Sequence, residues 1–191
     1  MNNYQIVSTV VALCLYIPLA RQILLGQVKQ NLATWLLWGT LDALAAASMF
    51  VQGGNWHLPT AYVAGCTLII ICMIKARTVA WTRFETVCSV MVVACLIGWK
   101  MSGPWLATIL STTGVALATI PQIKDAYKSP AEMPLVIYIG YTIVNSLSTI
   151  GGNAWTVEER LYPATCAVLC TLIVLVSCRR FVSVEAEPRG A

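Results

Sequence analysis

The sequence WLLWGTLD, which runs from Trp35 to Asp42, places one carboxylate deep within an apolar segment. Trp35, Trp38 and Asp42 are spaced i, i+3 and i+7, so an α-helix presents their side chains on one face. An acidic side chain at the centre of a membrane helix costs about 2.5–3.5 kcal/mol on insertion scales, and it usually faces a cavity. This face therefore predicts a polar site inside a membrane protein.

The composition of the whole chain is that of an integral membrane protein. Of the 191 residues, 58% are hydrophobic and only 10% are charged, and the mean hydropathy is +0.74. A soluble domain carries about 25% charged residues. The 12 Lys and Arg outnumber the 8 Asp and Glu, but they lie between apolar segments. This pattern is typical of membrane topology and argues against nucleic acid as a partner.

Seven apolar segments predict seven transmembrane helices, because each approaches the ~20 residues that cross a ~30 Å hydrocarbon core. The alternating pattern of a β-barrel is absent, so the backbone must be helical in lipid. Alternate connections carry ten basic residues on one side and two, Lys100 and Arg160, on the other. We therefore expect the N-terminus outside and the C-terminus in the cytoplasm. The predicted segments are 4–25, 32–51, 58–75, 84–100, 104–124, 133–151 and 161–180.

A second copy of the aromatic and polar face lies 103 residues downstream. Where the first copy has Trp35, Trp38 and Asp42, the second has Tyr138, Tyr141 and Asn145. Further matches keep the same order along three segments. Ile17-Pro18 matches Ile120-Pro121 at the offset of 103, and Cys66-Thr67-Leu68-Ile69 matches Cys170-Thr171-Leu172-Ile173 at an offset of 104.

These matches predict two parallel three-helix repeats. Three crossings leave the chain on the opposite side of the membrane, so a second triple of the same orientation requires one extra helix between the two. The predicted fold class is thus an all-α integral membrane protein in 3+1+3 order. The first repeat covers residues 1–80, the linker helix 81–102 and the second repeat 103–181, followed by a short cytoplasmic tail at 182–191.

A short motif ends the first helix of each triple. The two copies read Ile17-Pro18-Leu19-Ala20-Arg21-Gln22 and Ile120-Pro121-Gln122-Ile123-Lys124. With the 3+1+3 order, they resemble the PQ-loop family, whose architecture is shared with the SWEET sugar transporters. The resemblance implies transport of a sugar, an amino acid or a vitamin, although some relatives act as receptors. SWEET-like transporters place a substrate-binding Asn in the third helix of each triple, where this chain has Thr67 and Thr171.

Asp42 lies about ten residues into the second helix, roughly 15 Å deep at 1.5 Å per residue. We predict that it couples transport to protons or balances a cationic group of the substrate. The alternative is a neutral, hydrogen-bonded Asp that fixes helix packing. Asn145 cannot titrate, but its amide both donates and accepts, which suits hydroxyl or amino-acid groups. A hydrogen bond between helices is its alternative role.

The other candidate side chains are assigned by depth. Trp35 and Tyr138 lie within one turn of the cytoplasmic end and are predicted to belong to the interfacial aromatic belt, with a position along the solute path as the alternative. Trp38 and Tyr141 lie one turn deeper and could stack on a ring of the solute or close an inner gate. The two threonines are predicted pocket hydroxyls, unless each bonds its own backbone. The predicted substrate-binding residues are Trp38, Asp42, Thr67, Tyr141, Asn145 and Thr171.

Pro18 and Pro121 interrupt the inner third of the first and fifth helices. A proline removes a helical hydrogen bond and bends the helix, so we expect a hinge in each half, with a static kink as the alternative. Gln122 is expected to satisfy a carbonyl that Pro121 frees.

These features favour a transporter that moves a small polar organic solute by alternating access, with proton coupling through Asp42. A ligand-binding receptor or trafficking protein without transport is the alternative. An enzyme is not expected, because Asn145 stands where a second intramembrane acid would be and nucleotide-binding or Gly-x-Ser-x-Gly motifs are absent. No catalytic residue, cofactor or metal is predicted.

The predicted partners are a small-molecule solute and the lipid bilayer. Association into a homo-oligomer is left open. The short terminal segments favour the bacterial inner membrane over a eukaryotic organelle.

Overall fold

In the computed structural model, residues 2–28, 30, 32–76 and 83–179 are described, and every regular element within them is helical. The all-helical class predicted from the sequence is confirmed for this part of the chain. A short 3₁₀ helix, Pro130–Glu132, precedes α5, and a π-helical turn, Val157–Leu161, leads into α6. The helices are α1 (Asn3–Leu24), α2 (Leu32–Val51), α3 (His57–Lys75), α4 (Arg83–Lys128), α5 (Leu135–Ile150) and α6 (Tyr162–Ser177).

α4 is two helical segments joined at Gly103, so the described chain has seven α-helical segments in all. Gly103 has φ 80° and ψ 178°, a conformation that a side chain would oppose. Pro104 follows immediately and opens a new helix, where its missing N–H costs nothing. We refer to the segment Gly103–Lys128 as the second arm of α4.

Five helical segments are long and apolar enough to cross a membrane, which makes this an integral membrane protein by the length and composition of its helices. They are Asn3–Leu24, Thr34–Val51, His57–Lys75, Gly103–Lys128 and Val157–Ser177. The predicted segment 133–151 contains a shorter helix, α5, because the 3₁₀ turn and Pro134 delay its start to Leu135. The predicted segment 161–180 begins earlier, because the π-helical turn carries it back to Val157.

The helices form two groups with the same internal order. In the first triple, α1–α3, helix α3 packs against both α1 and α2. In the second triple, which comprises the second arm of α4, α5 and α6, helix α6 packs against both α4 and α5. Between the triples, α2 packs against α4, and α1 packs against α5. The first helix of each triple thus contacts the second helix of the other.

The start of α1 is fixed by a reciprocal cap. The Asn2 side chain accepts a hydrogen bond from the Gln5 backbone N at 3.0 Å, and the Gln5 side chain accepts one from Asn2 N at 3.1 Å. Two of the four backbone donors that lack helical partners are therefore satisfied. The Asn2 amide also donates to the Gly151 carbonyl, which joins α1 to the end of α5.

Arg160 also holds the C-terminal end of α5. Its guanidinium donates to the carbonyls of Thr149, Gly152 and Ala154, at 2.5, 2.6 and 2.9 Å, and lies over the Trp155 ring. These carbonyls surround the C-terminus of the helix, where its dipole favours a cation. The arrangement ties the end of α5 to the turn that begins α6.

We expect Arg160→Ala to destabilise the protein by about 1.5–3 kcal/mol, the contribution typical of hydrogen bonds to a charged group. This corresponds to a fall in melting temperature on the order of 5 °C, measured in detergent by thermal unfolding. Lys128→Ala, which removes an exposed basic side chain at the end of α4, is the control. An equal melting temperature for both variants would contradict the assignment.

Several predictions concern residues outside the described ranges. They include the cytoplasmic tail at 182–191 and four of the ten basic residues that orient the chain, which are Lys29, Arg77, Arg180 and Arg189. The membrane orientation therefore stays a prediction, as does the role of 81–102 as a linker.

Candidate functional site

A cavity of about 70 Å³ lies where the two triples meet. One water needs ~10–15 Å³ on this scale, so the cavity holds roughly five water-sized groups. All six helices contribute side chains to its wall. The wall combines one carboxylate, Asp42, with an amide, aromatic rings, thiols and aliphatic groups.

Residues that the predicted repeat matches meet in this cavity. Six pairs of residues separated by 103 or 104 positions contribute both members to the wall. The cavity wall therefore contains both members of each of these pairs. The pairs are Tyr16 with Thr119, Trp35 with Tyr138, Trp38 with Tyr141, Asp42 with Asn145, Tyr62 with Cys166, and Cys66 with Cys170.

Asp42 is only 4% exposed and accepts a hydrogen bond from the Tyr162 hydroxyl, with 2.5 Å between Oη and Oδ1. Tyr162 is 1% exposed. The π-helical turn places it more than one turn inside the segment Val157–Ser177 rather than at its end. Among the described lining residues Asp42 is the one acid, and none is Lys, Arg or His. The partner of this carboxylate is thus a neutral hydroxyl.

Asn145, the repeat partner of Asp42, is 1% exposed. Its Nδ2 donates to the Tyr141 carbonyl at 2.8 Å, whereas its Oδ1 is buried without a hydrogen-bond partner in the protein. The hydroxyls of Tyr62 and Tyr141 in the same wall are also buried without one. Leaving a buried polar group unpaired costs about 1–3 kcal/mol. These three atoms are therefore positions where a ligand can form hydrogen bonds.

Seven aromatic side chains of the wall form one connected group, which we call the aromatic cluster. Successive rings have centroids 5.3–6.4 Å apart, mostly in edge-to-face orientation. Such pairs are favourable because the positive edge of one ring meets the negative face of the next. The cluster comprises Tyr16, Trp35, Trp38, Tyr62, Tyr138, Tyr141 and Tyr162.

The prediction that Trp35 and Tyr138 belong to an interfacial belt is wrong. They are 2% and 5% exposed, and both line the cavity. A belt residue faces lipid headgroups, but the i, i+3, i+7 spacing places these rings on the face of Asp42 and Asn145. Helical face, rather than depth, decides their environment.

The structure places four of the six predicted substrate-binding residues in the cavity wall: Trp38, Asp42, Tyr141 and Asn145. Thr67 and Thr171 do not line it, which corrects that prediction. Each donates instead to the carbonyl four residues earlier, at 2.8 and 2.7 Å. Their neighbours Cys66 and Cys170 face the cavity, since adjacent residues on a helix point about 100° apart.

The predicted hinge residues lie outside the cavity wall. Pro18 is exposed within α1, and Pro121 is partly buried within α4. Neither proline ends its helix, and their role as hinges stays a prediction. Gln122 is buried, but its Nε2 lies 3.8 Å from the Met133 sulfur. The expectation that it satisfies a carbonyl freed by Pro121 is therefore wrong.

Sequence reasoning missed Tyr16, Tyr62 and Tyr162. The sequence contained a signal for the first two, because a polar residue lies at the matching offset of 103 or 104 positions. Tyr16 is matched by Thr119, and Tyr62 is matched by Cys166. Tyr162 carried none, since the position 104 residues earlier is Leu58.

Hydrogen bonds between the triples concentrate at the end of the cavity near the α2–α3 connection. The hydroxyls of Ser48 and Thr108 are 2.9 Å apart, and Gln52 Nε2 donates to the Thr108 hydroxyl at 2.9 Å. Asn55 Nδ2 donates to the Ser148 hydroxyl at 3.0 Å. We call these five residues the polar seal. At the other end of the wall, Trp38 Nε1 donates to the Thr119 hydroxyl at 3.3 Å.

Comparisons of the chain with protein-family models, with curated proteins and with solved structures find no match. Within the described residues, no group of three His, Cys, Asp or Glu side chains could hold a metal ion.

Proposed function

We propose that the protein is a membrane transporter that moves a small polar organic solute by alternating access. The observation that carries the proposal is the cavity between the triples, whose wall contains six repeat-related pairs of residues. Transporters built from repeats bind their solute at the repeat interface near the bilayer midplane, and one repeat rocks against the other around that site. The cavity between the triples, lined by residues of both, supports this proposal.

Two parallel repeats joined by a linker are part of the proposal, as is membership of the PQ-loop family. Support comes from the shared internal order, with α3 between α1 and α2, and α6 between α4 and α5. The sequence offset between paired wall residues, which is 103 or 104 in all six pairs, also supports two parallel repeats. In this layout, the part of α4 before Gly103 is the linker helix.

The uneven distribution of hydrogen bonds between the triples supports alternation between two states. The polar seal joins the triples at one end, with Ser48, Gln52 and Thr108 linked in one network. In the proposed cycle the seal separates while the rings at the other end, led by Trp35 and Tyr138, close together. Pro18 and Pro121 are the proposed bending points of the two halves.

Proton coupling is assigned to Asp42. A bare carboxylate in a poorly solvated wall is costly unless a proton or a cationic group accompanies it. Asp42 is the one acidic lining residue in the described chain, and its repeat partner, Asn145, cannot titrate. Coupling therefore belongs to one half of the protein.

Reconstitution tests transport directly. Purified protein is screened against sugars, amino acids, vitamins and amines by thermal shift, since a ligand that binds the folded state raises its melting temperature. Hits are then followed as labelled solutes into proteoliposomes, with and without a proton gradient. We expect saturable uptake of at least one hit. Saturable binding with no flux for any hit would favour the receptor alternative and overturn the transporter proposal.

We expect Gln52→Leu to populate the state in which the seal is open. Its amide bridges α2 to the Pro104 carbonyl at 3.2 Å and to the Thr108 hydroxyl at 2.9 Å. Two neutral hydrogen bonds contribute about 1–3 kcal/mol, which corresponds to roughly a 5- to 150-fold change in population. Hydrogen–deuterium exchange of residues 48–56 and 104–108 should increase accordingly.

The control for this variant is Thr60→Val. Thr60 is exposed, and its hydroxyl donates within α3 to the Trp56 carbonyl at 2.9 Å. Exchange in the seal should be unchanged in this control. Unchanged exchange in Gln52→Leu as well would show that the seal does not hold the triples together.

A further inference from the structure

The charge of the cavity wall is one-sided. Its described lining contains the Asp42 carboxylate and no Lys, Arg or His. The hydrogen bond from Tyr162 supports this carboxylate but brings no positive charge. A ligand with its own carboxylate would meet like charge here and find no basic group to receive it. A ligand with positive charge would instead pair with Asp42 and remove the cost of a lone buried ion.

The rings add a second feature that favours a cation. Ammonium groups bind over Trp and Tyr faces within about 6 Å of the ring centre. Tyr16, Tyr62 and Tyr141 form a three-ring wall, with mutual centroid distances of 6.3, 5.5 and 5.9 Å. Tyr62 also lies 6.4 Å from Tyr162, the ring that donates to Asp42. The aromatic wall and the carboxylate therefore bound the same space.

Unpaired atoms in the wall specify what else the ligand carries. Asn145 Oδ1 is buried without a partner and can only accept, so it calls for an N–H or O–H donor. The Tyr62 hydroxyl, also buried without a partner, can accept or donate. The cavity of about 70 Å³, lined mostly by aromatic and aliphatic groups, suits a small amine or choline.

We propose that the cavity binds a small organic cation, an amine or a quaternary ammonium ion that carries an N–H or O–H donor and no acidic group. Asp42 balances its charge, the aromatic cluster packs on its alkyl groups, and Asn145 accepts its donor. This assignment rests on the proposed function in taking the cavity as the solute site, and it names the class of solute.

The cation and a proton compete for the same carboxylate. Binding of one monovalent cation releases one proton from Asp42, and reprotonation after the cation leaves completes a one-for-one exchange. The other titratable groups of the described wall are ordinarily neutral at pH 7. They are Tyr16 from α1, Tyr62 and Cys66 from α3, Tyr138 and Tyr141 from α5, and Tyr162, Cys166 and Cys170 from α6, with none from α4. Cation affinity should therefore weaken as the pH is lowered.

A matched set of probes tests the charge requirement on the wild-type protein. Choline and ethanolamine are the cations, 3,3-dimethylbutan-1-ol is the uncharged isostere of choline, and glycine betaine carries the same ammonium group with a carboxylate. Binding is measured by tryptophan fluorescence in detergent at pH 8. We expect both cations to bind at least tenfold more tightly than the other two probes. Equal binding of the uncharged isostere, or no binding of either cation at millimolar concentration, would overturn the proposal.

Variants locate the binding in the cavity. Asp42→Asn should lower cation affinity at least tenfold, and Tyr62→Leu should lower it more than Tyr62→Phe, which keeps the ring. Thr67→Val alters an exposed threonine on the same helix as Tyr62 and should leave affinity unchanged. Wild-type affinity in both Asp42→Asn and Tyr62→Leu would place the cation elsewhere and overturn the assignment.

The two proposals can fail separately. Cation binding without flux into proteoliposomes would retain the cation site and reject transport. Flux of another solute, with no affinity for choline or ethanolamine, would retain transport and reject the cation.

Discussion

Asp42→Ala and Asp42→Asn are expected to abolish solute flux while leaving folded protein in the membrane. The side chain is buried in the cavity wall and is its one described acidic group, so no neighbour can replace its charge. Removing one partner of a buried charge pair costs about 2–5 kcal/mol, which is on the order of 30-fold or more in affinity. Initial uptake into proteoliposomes measures the loss, with labelled choline as the first probe.

Asp125→Asn is the matched control, because it makes the same chemical change at an exposed acid near the end of α4. Its flux should equal that of the wild type. Tyr162→Phe should give an intermediate loss, since it removes the 2.5 Å hydrogen bond to Asp42 and keeps the carboxylate. Size-exclusion profiles and melting temperatures establish that each variant is folded. Wild-type flux in a folded Asp42→Asn protein would remove Asp42 from the site.

The same variants separate coupled from uncoupled transport. If a proton occupies Asp42 in the return step, uptake by the wild type should respond to a proton gradient. Any residual uptake by Asp42→Asn should not respond to it, because an amide neither binds nor releases a proton at neutral pH. Wild-type uptake that is indifferent to the gradient would indicate facilitated diffusion and leave Asp42 a binding role alone.

Helix positions were predictable because they depend on local features of the sequence, namely the length of each apolar segment and the Gly, Pro and polar residues that bound it. Segment 32–51 was predicted and α2 is Leu32–Val51; segment 58–75 was predicted and α3 is His57–Lys75. The errors lie at α5 and α6, where the ends depend on how the chain turns between packed helices. A π-helical turn before Tyr162 has no periodic signature in the sequence, since it is one turn of five residues.

The site was predictable where the repeat and the helical period agreed. Spacing and offset together identified the faces of Asp42 and Asn145, and both face the cavity. The contacts of a side chain depend instead on which helix packs opposite to it. The spacing of residues within one helix does not encode the identity of that neighbouring helix. Tyr162 meets Asp42 across 120 positions of sequence. Similarly, Thr67 was chosen for its polarity, although its own backbone satisfies it and Cys66 faces inward.

Gly65→Ala is expected to disrupt the aromatic cluster. A Cβ atom at Gly65 would lie 2.1 Å from Cε2 of Tyr16 and 2.2 and 2.3 Å from two further atoms of that ring. No side chain tolerates such an overlap, so Tyr16 must leave its place against α3. Overpacking of this kind costs about 1–3 kcal/mol in stability, and it also breaks the ring contacts of Tyr16 with Trp35, Tyr62 and Tyr141.

The expected result for Gly65→Ala is at least a tenfold loss of solute affinity together with a fall in melting temperature of a few degrees. Ala64→Val is the control, because it enlarges the preceding residue of α3, which is exposed. Since Tyr16 is what collides with the new methyl group, Gly65→Ala combined with Tyr16→Leu should recover melting temperature without recovering affinity. Recovery of melting temperature without recovery of affinity would separate two effects of the contact between Gly65 and Tyr16. The packing of α3 requires only that the collision be removed, whereas solute binding requires the Tyr16 ring itself. Wild-type affinity in Gly65→Ala would show that the position of Tyr16 does not matter for the site.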